Sequence, residues 1–484
     1  MNIFFNYIKK IRSNKLAKNS FVFIGMSFLQ KGAGFLLLPL YTTYLSPEQY
    51  GTANVITSSA AIYIMFFSFA LDDAVTRYYF IYKSDEQKQR LFLGSIVIFS
   101  LFFSLFSSLL LGYFSDIFFE FLINETIPKP LLYLGIVSIA TAPLYAIQQK
   151  IHIIEERPFH YTLNTFSYFL INTILCIAFI VNNSMGAKGL LLAAAIVNLI
   201  FYVYSMSFLF NRMSFKFDFQ YLKEAFQYSL PLVPNRISSW GLSHFNKIYI
   251  GKVLTNAAVG IFNIASLFGL VVTVLAQSVS MAFQPLVYKL LDKGEEGKIK
   301  LHKIINGLVF LYIVVGLGLT LISNELLSVF INDRYASAYT LIPILIFNST
   351  ISAISSTYIY ILFYYISAPK HISISTFIAA GINIIGCILL IPILGITGAA
   401  LGLLAGSYAS AFYKYFFAVK ISNINLNIWL LFLAPLLSFG ASYLLLYYEI
   451  NLFVKTLVFL AFLIILFIYA KKLFGLNIKS LIND

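Results

Sequence analysis

Charged residues are scarce in this chain of 484 residues, since Asp, Glu, Lys and Arg together make up 11% of it while hydrophobic residues make up 60%. So little polar material cannot cover the surface of a water-soluble protein of this length. Negative charge is scarcest, with 19 acidic against 33 basic residues and a formal net charge of +14. The composition therefore indicates a membrane protein, surrounded by lipid along most of its length.

Cysteine is nearly absent as well. The two cysteines, Cys176 and Cys387, both lie inside apolar runs, where cysteine behaves as a small hydrophobic residue rather than as part of a disulfide framework. The sequence also lacks a G-x-x-x-x-G-K-[ST] phosphate loop, an H-E-x-x-H motif and an assignable Ser/His/Asp set. We therefore predict that the chain is neither an enzyme nor an ATP-driven pump, and that it holds no cofactor and no metal.

Long apolar runs are what the sequence has in abundance, and they recur about fourteen times between polar breaks. Each run approaches the roughly 20 residues that a transmembrane helix needs, and such runs exclude the alternating strands of a barrel. The first run, 19–45, is longer than the apolar part of a signal peptide and contains Lys31 and Pro39. The sequence thus predicts an all-α integral membrane protein with about fourteen transmembrane helices.

The basic residues are distributed unevenly across the predicted loops. With a cytoplasmic N-terminus, the inner segments hold roughly 24 Lys and Arg and the outer segments about 6. This asymmetry predicts a multi-pass protein of the inner (plasma) membrane with both termini in the cytoplasm. Because the cations are spread over every inner loop instead of one face, we expect no nucleic-acid partner.

An internal repeat divides the chain. Three pairs of segments match in order at offsets of 209 to 211 residues: 45–57 with 254–266, 158–176 with 369–387, and 186–189 with 395–398. The offset spans an even number of predicted helices, so the two copies have the same orientation in the membrane. This predicts a pseudo-two-fold axis along the membrane normal, as in transporters whose binding site lies between two repeats near the midplane.

The repeat predicts three domains: an N-terminal six-helix bundle at 1–210, a C-terminal six-helix bundle at 211–420, and two additional transmembrane helices at 421–484.

The motif that opens the first repeat is familiar. Leu45-Ser-Pro-Glu-Gln-Tyr-Gly51 resembles the L-S-P-x-x-Y-G signature of the polysaccharide flippases in the MOP superfamily, of the O-antigen and capsule (Wzx-like) type. Ile248-Tyr-Ile-Gly251, Val259-Gly260-Ile-Phe262 and Gly395-x-x-Gly398-Ala-Ala400 resemble further landmarks of that family. The resemblance covers about residues 15–420. One departure is Asn246-Lys247, where relatives often carry Asp-Arg.

The resemblance implies a transporter for polysaccharide (O-antigen, lipopolysaccharide) biosynthesis. Its substrate would be an undecaprenyl-diphosphate-linked oligosaccharide, moved from the cytoplasmic to the periplasmic leaflet by alternating access. Its partners would be this lipid-linked oligosaccharide, membrane lipids and a coupling ion, Na⁺ or H⁺. One alternative is a cation-coupled multidrug antiporter of the same superfamily, and another is a membrane polysaccharide polymerase or ligase, which would need a long periplasmic loop that the chain lacks.

Basic residues inside the predicted spans are candidates for binding the substrate, because an ion at membrane depth costs about 2.5–3.5 kcal/mol on insertion scales. Lys31 lies near the middle of span one, and Arg236 lies near the middle of the equivalent span seven, 225–250. We expect the two to face one another across a cavity and to bind the diphosphate. His244 and Lys247 are expected to line its exit. The alternatives are a structural ion pair and snorkelling to the interface.

A second group of candidates lies towards the inner end of span two, 53–81. Asp73 and Arg77 have the i, i+4 spacing of a helical ion pair, and Asp72 precedes them. These residues are expected either to form an intrahelical salt bridge or to act in ion coupling or gating. Two prolines, Pro231 and Pro234, are expected to break span seven near its start.

Overall fold

The computed structural model describes residues 37–115, 127–365, 368–424, 428–447 and 454–461, with the single positions 35, 117, 463 and 464. Helices dominate these residues, and no strand occurs among them. The predicted all-α fold class is therefore confirmed.

We number the α-helices in chain order. They are α1 Leu38–Tyr44, α2 Pro47–Ser68, α3 Leu71–Ile81, α4 Glu86–Tyr113, α5 Lys129–Ile154, α6 Pro158–Ile177, α7 Gly186–Phe210, α8 Phe219–Ser229, α9 Val233–Ser243, α10 Phe245–Val253, α11 Asn256–Leu291, α12 Gly294–Leu321, α13 Ser323–Phe330, α14 Ile342–Tyr364, α15 Pro369–Leu394, α16 Ile396–Ser422 and α17 Ala434–Tyr447.

Ten helices in the described part of the chain are long and apolar enough to cross a membrane. They coincide with the predicted spans two to six and eight to twelve. Most of the first predicted span lies outside the described residues, the seventh is broken into short helices, and the last two are described only in part. Multiple spans are thus confirmed, whereas the total of about fourteen stays a prediction.

Span seven is broken twice. A 3₁₀ turn, Leu230–Leu232, separates α8 from α9, because Pro231 and Pro234 have no backbone N–H to continue the α-helical ladder. This break was predicted from the two prolines and is confirmed. The second break lies at His244, whose φ of −128° ends α9 before α10 begins; the nearest helix-weakening residue in the sequence is Gly241, in the last turn of α9.

Contacts divide the described chain into a first unit, which covers Leu40–Gly260, and a second unit, which covers the described residues from Ile261 onward with those just before Leu40. The repeat instead predicts a boundary between residues 210 and 211, and this division into two repeated bundles stays a prediction. In the first unit a hydrophobic core joins α3, α4, α5 and α8; its fully buried members include Val75, Phe92, Ile96, Ile147 and Ala225. This core fixes one face of α3.

The two copies of the repeated motif contact one another within the first unit. A Cβ added to Gly51 would overlap the carbonyl of Asn256, and a Cβ added to Gly260 would overlap the carbonyl of Pro47. Residues 47 and 51 correspond to 256 and 260 at the offset of 209, so the contact is reciprocal. Such reciprocity is expected where repeat-related segments meet at a two-fold axis.

In the second unit, α15 and α16 pack closely through glycines. A Cβ at Gly402 would press on the backbone of Gly386, and one at Gly406 would overlap the carbonyl of Ala379. Without side chains at these positions, the backbones of the two helices can approach closely. Cys387 on α15 is buried and free, as is Cys176 in the first unit.

Candidate functional site

The helix of span two is interrupted at Phe69 and Ala70. Both residues adopt left-handed φ values, 48° and 55°, which cost a non-glycine residue about 1–2 kcal/mol each. The Phe69 ring is held by a cluster of aromatic rings at centroid distances of 5.1–6.2 Å, contributed by Phe99, Phe103 and Phe226. This packing offsets the strain, and α3 therefore begins at Leu71 as a separate helix.

Two carboxylates in the first turn of α3 bind Arg236 of α9. The Arg236 guanidinium donates from Nη2 to Asp73 Oδ2 at 2.6 Å and to Asp72 Oδ2 at 2.8 Å. Its Nε also donates to Asp73 Oδ2, at 3.2 Å. Carboxylates in a first helical turn are further stabilised by the helix dipole. Arg236 is thus fixed through one edge of its guanidinium.

Lys150 on α5 completes the group. Its ammonium donates to Asp73 Oδ1 at 2.9 Å and lies 3.9 Å from Asp72 Oδ2. Asp73 therefore bridges the two cations, with one carboxylate oxygen towards each. We call Asp72, Asp73, Lys150 and Arg236 the charge cluster. It connects three helices that the core and the break in span seven bring together, namely α3, α5 and α9.

The charge cluster is neutral overall and partly open to its surroundings. Two carboxylates face two cations, and the side chains of Lys150, Arg236 and Asp73 keep 33%, 28% and 28% of their surface exposed, whereas Asp72 keeps 10%. A ligand that arrives from the open side could replace either partner.

Arg77 does not make the predicted i, i+4 pair with Asp73. Its guanidinium lies 4.9 Å from the centroid of the Tyr228 ring on α8, while Asp73 is bound by Lys150 and Arg236. The prediction of an intrahelical salt bridge between Asp73 and Arg77 is therefore wrong, because Lys150 and Arg236, on other helices, bind Asp73 instead. A role for Arg77 in coupling or gating stays a prediction.

The remaining sequence candidates lie elsewhere. His244 Nδ1 is 3.2 Å from Ser58 Oγ on α2, and Lys247 is half-buried in α10. Neither is among the hydrogen-bonded members of the charge cluster. Lys31, and with it the expected pairing of Lys31 with Arg236 across a cavity, lies outside the described residues.

Several lysines inside predicted spans are missing from the sequence candidates, Lys150 and Lys414 among them. Lys150 lies within 130–154, and Lys414 lies within 397–419. Lys414, in the second unit, is 9% exposed and its ammonium donates to Ser355 Oγ at 3.2 Å. Both lie near the inner ends of their spans, and an ionisable residue within an apolar run is the signal that identifies them.

The comparisons with known proteins agree with the resemblance. A family model described as "Polysaccharide biosynthesis protein" matches residues 43–340, more than half of the chain. The chain belongs to this polysaccharide biosynthesis protein family. The match begins just before the Leu45–Gly51 motif and includes the whole charge cluster. The family resemblance predicted from the motifs is thereby confirmed.

A curated relative supports the same family. The protein named "Lsg locus putative protein 1" of Haemophilus influenzae is 20% identical over 305 residues, which cover 60% of this chain and 70% of the relative.

Solved structures show that this family member has the fold of MOP-superfamily transporters. The lipid II flippase MurJ in an inward closed conformation superimposes with a TM-score of 0.74 at 17% identity, covering 94% of this chain and 98% of MurJ. An inward-facing multidrug resistance MATE family transporter of the MOP superfamily gives 0.58 at 16% identity, covering 82% and 94%. At these identities the likeness shows the fold alone.

Proposed function

We propose that this protein moves an undecaprenyl-diphosphate-linked oligosaccharide from the cytoplasmic to the periplasmic leaflet of the inner membrane by alternating access. The observation that carries the proposal is the charge cluster, which places two cations, Lys150 and Arg236, together in a membrane protein of a polysaccharide biosynthesis family. In this proposal the two cations bind the diphosphate of the substrate.

The charge of the substrate requires such cations. A diphosphate transferred without countercharge into a low-dielectric site would cost tens of kcal/mol by Born estimates. The fork of Arg236 suits phosphate oxygens, and the ammonium of Lys150 acts as a point charge. Lys31 is proposed as a further cation from the first span, with His244 and Lys247 along the exit.

The family match weighs against a multidrug antiporter. The charge cluster is neutral and could exchange a partner of either sign, so the choice of substrate rests on the polysaccharide biosynthesis family to which the chain belongs. The likeness to a multidrug transporter concerns the fold alone. We therefore favour an anionic, lipid-linked substrate, and we propose the orientation with both termini in the cytoplasm.

The test is complementation of a strain from which the gene has been deleted. Wild-type protein is expected to restore surface glycan, and the deletion is expected to accumulate the lipid-linked oligosaccharide on the cytoplasmic side. The proposed orientation is tested separately: topology reporters fused after Lys88, Lys298 or Asp484 are expected to lie in the cytoplasm. If surface glycan survives the deletion and no lipid-linked oligosaccharide accumulates, the proposed function is wrong.

A further inference from the structure

The two carboxylates of the charge cluster occupy the edge of Arg236 that a phosphate would use. We infer that Asp72 and Asp73 are internal stand-ins for the diphosphate of the substrate, and that substrate binding displaces them and makes them take up protons. The inference rests on the proposed function and adds to it the ion that accompanies the substrate.

The cluster presents its two cations with two adjacent anionic groups, as a diphosphate would. Asp72 and Asp73 are consecutive, and each carboxylate approaches both cations at 2.6–3.9 Å. A diphosphate likewise presents two linked anionic groups. The Nε and Nη2 atoms of Arg236 both point at Asp73, and this is the edge with which an arginine binds phosphate in a bidentate manner. Carboxylates and diphosphate therefore compete for the same donors.

The competition unbalances the charge. In the resting cluster two negative charges meet two positive ones. A diphosphate diester brings two more negative charges, and when it binds Lys150 and Arg236 it leaves both carboxylates without a counterion. Uncompensated carboxylates close to a bound anion favour their protonated form, both by desolvation and by like-charge repulsion.

The other charged groups near α3 are already engaged or exposed. Glu155, which ends α5, accepts a hydrogen bond from Tyr79 and pairs with Arg157 and Arg212, and Glu224 on α8 accepts a hydrogen bond from Tyr82. At the start of α4, Arg90 pairs with Glu86 and Lys88 pairs with Asp85. His152 contacts Asn164, Arg77 lies over the Tyr228 ring, and Lys223 is exposed. To find another cation, a displaced carboxylate would therefore have to separate one of these pairs, draw Arg77 off the Tyr228 ring or reach the exposed Lys223.

Protons fit the displaced carboxylates better than a metal ion does. A hard metal cation needs several oxygen ligands, and the described residues contain no group of three or more His, Cys, Asp or Glu that could supply them. Protonation requires only the carboxylate: each one accepts a proton from water and forms an O–H bond, while the hydrogen bonds from Lys150 and Arg236 pass to phosphate oxygens.

The inference predicts that ligand binding takes up protons. The probe is a short-chain prenyl-diphospho-hexose, a soluble diphosphate diester with two charges, titrated calorimetrically into the purified full-length protein in buffers of different ionisation enthalpy. We expect wild-type protein to take up one to two protons per ligand. Its affinity should fall about tenfold per pH unit for each coupled proton in the range where the carboxylates are ionised before binding.

The matched variant is the double substitution Asp72→Asn with Asp73→Asn, which keeps the size of both side chains. It should bind the ligand at least as tightly as wild-type protein, with no proton uptake and no dependence on pH in that range. Proton uptake by the wild-type protein is measured without any variant, so the test holds even if the double variant does not fold.

Three outcomes contradict the inference. These are binding by the wild-type protein without proton uptake, affinity that depends on Na⁺ instead of pH, and a folded double variant that binds tenfold or more weakly. Equal binding by wild-type protein and by Arg236→Gln is a different failure, because it would remove the diphosphate site of the proposed function and the inference with it.

Discussion

The two units of the chain treat buried charge differently. In the first unit, four ionisable side chains from three helices share one open site. In the described part of the second unit, Lys414 is buried with Ser355 Oγ as its acceptor, and Lys455 pairs with Glu325 at 2.9 Å with only 5% of the lysine side chain exposed. A ligand can reach the side chains of the open site in the first unit and replace one of them as a partner. The buried lysines of the second unit are less accessible to a ligand.

We propose from this difference that the first unit carries the charge of the substrate. An ion pair that only stabilises the fold gains nothing from being exposed, because water weakens the attraction between its charges.

Arg236→Ala should abolish surface glycan in the complementation assay while the amount of protein in the membrane stays normal. The loss of the bidentate donor leaves two carboxylates facing Lys150 alone and removes the main phosphate contact. Arg236→Lys should keep part of the activity, because the charge remains and the fork does not. Arg90→Ala, which removes an exposed arginine of the same unit, is the control and should complement fully.

Gly51→Leu should lower the amount of folded protein as well as the activity. Its side chain would overlap the Asn256 carbonyl, and forcing apart two packed helices costs about 1–3 kcal/mol or more. Immunoblotting of membranes separates this defect in folding from the defect of Arg236→Ala. Gly112→Leu on α4 is the control, since nothing lies within 4 Å of a Cβ added there; equal abundance of the two variants would contradict the proposed packing.

Lys150→Met should reduce transport by about tenfold, less than Arg236→Ala, because one hydrogen-bonded cation is lost and Arg236 still binds both carboxylates. Initial rates of transport by the reconstituted protein provide the measurement. If Lys150→Met transports at the wild-type rate, Lys150 does not bind the diphosphate, and Arg236 is left as its ligand in the charge cluster.

Lys455→Met should lower thermal stability slightly and leave transport unchanged. Glu325 loses its partner, but the carboxylate side chain is 37% exposed, so the cost is expected to be about 1 kcal/mol or less. The unfolding temperature of the purified protein tests the first part. A transport defect at normal stability would bring the second unit into the binding mechanism.

Lys414→Met should have the smallest effect, since an apolar side chain of similar length removes the cost of burying a cation and gives up one hydrogen bond to Ser355 Oγ. We expect normal complementation and an unchanged or higher unfolding temperature. Loss of glycan with normal abundance would show that the contrast between the units is wrong.

Much of the fold follows from the sequence because a membrane imposes a simple rule on helix length and polarity. Ten predicted spans and the proline break before α9 were found in this way. The break at Phe69 and Ala70 was not, because the left-handed backbone there depends on the packing of Phe99, Phe103 and Phe226 rather than on a local glycine or proline.

The candidate site was predicted in part. Asp72, Asp73 and Arg236 were singled out as ions within spans, but not as partners of one another. Helical spacing suggested Arg77 for Asp73, whereas tertiary packing supplies Arg236 and Lys150 from 77 and more residues away along the chain. Local periodicity carries no information about such distant pairs.

The central claim is that Arg236 and Lys150 bind the diphosphate during translocation. The most direct measurement reconstitutes the purified protein in liposomes with a fluorescent undecaprenyl-diphosphate oligosaccharide and follows its passage between leaflets with an impermeant quencher. We predict translocation by wild-type protein and by Arg90→Ala, and none above protein-free liposomes by the double variant Arg236→Ala with Lys150→Met. Translocation by that double variant at the wild-type rate would contradict the account.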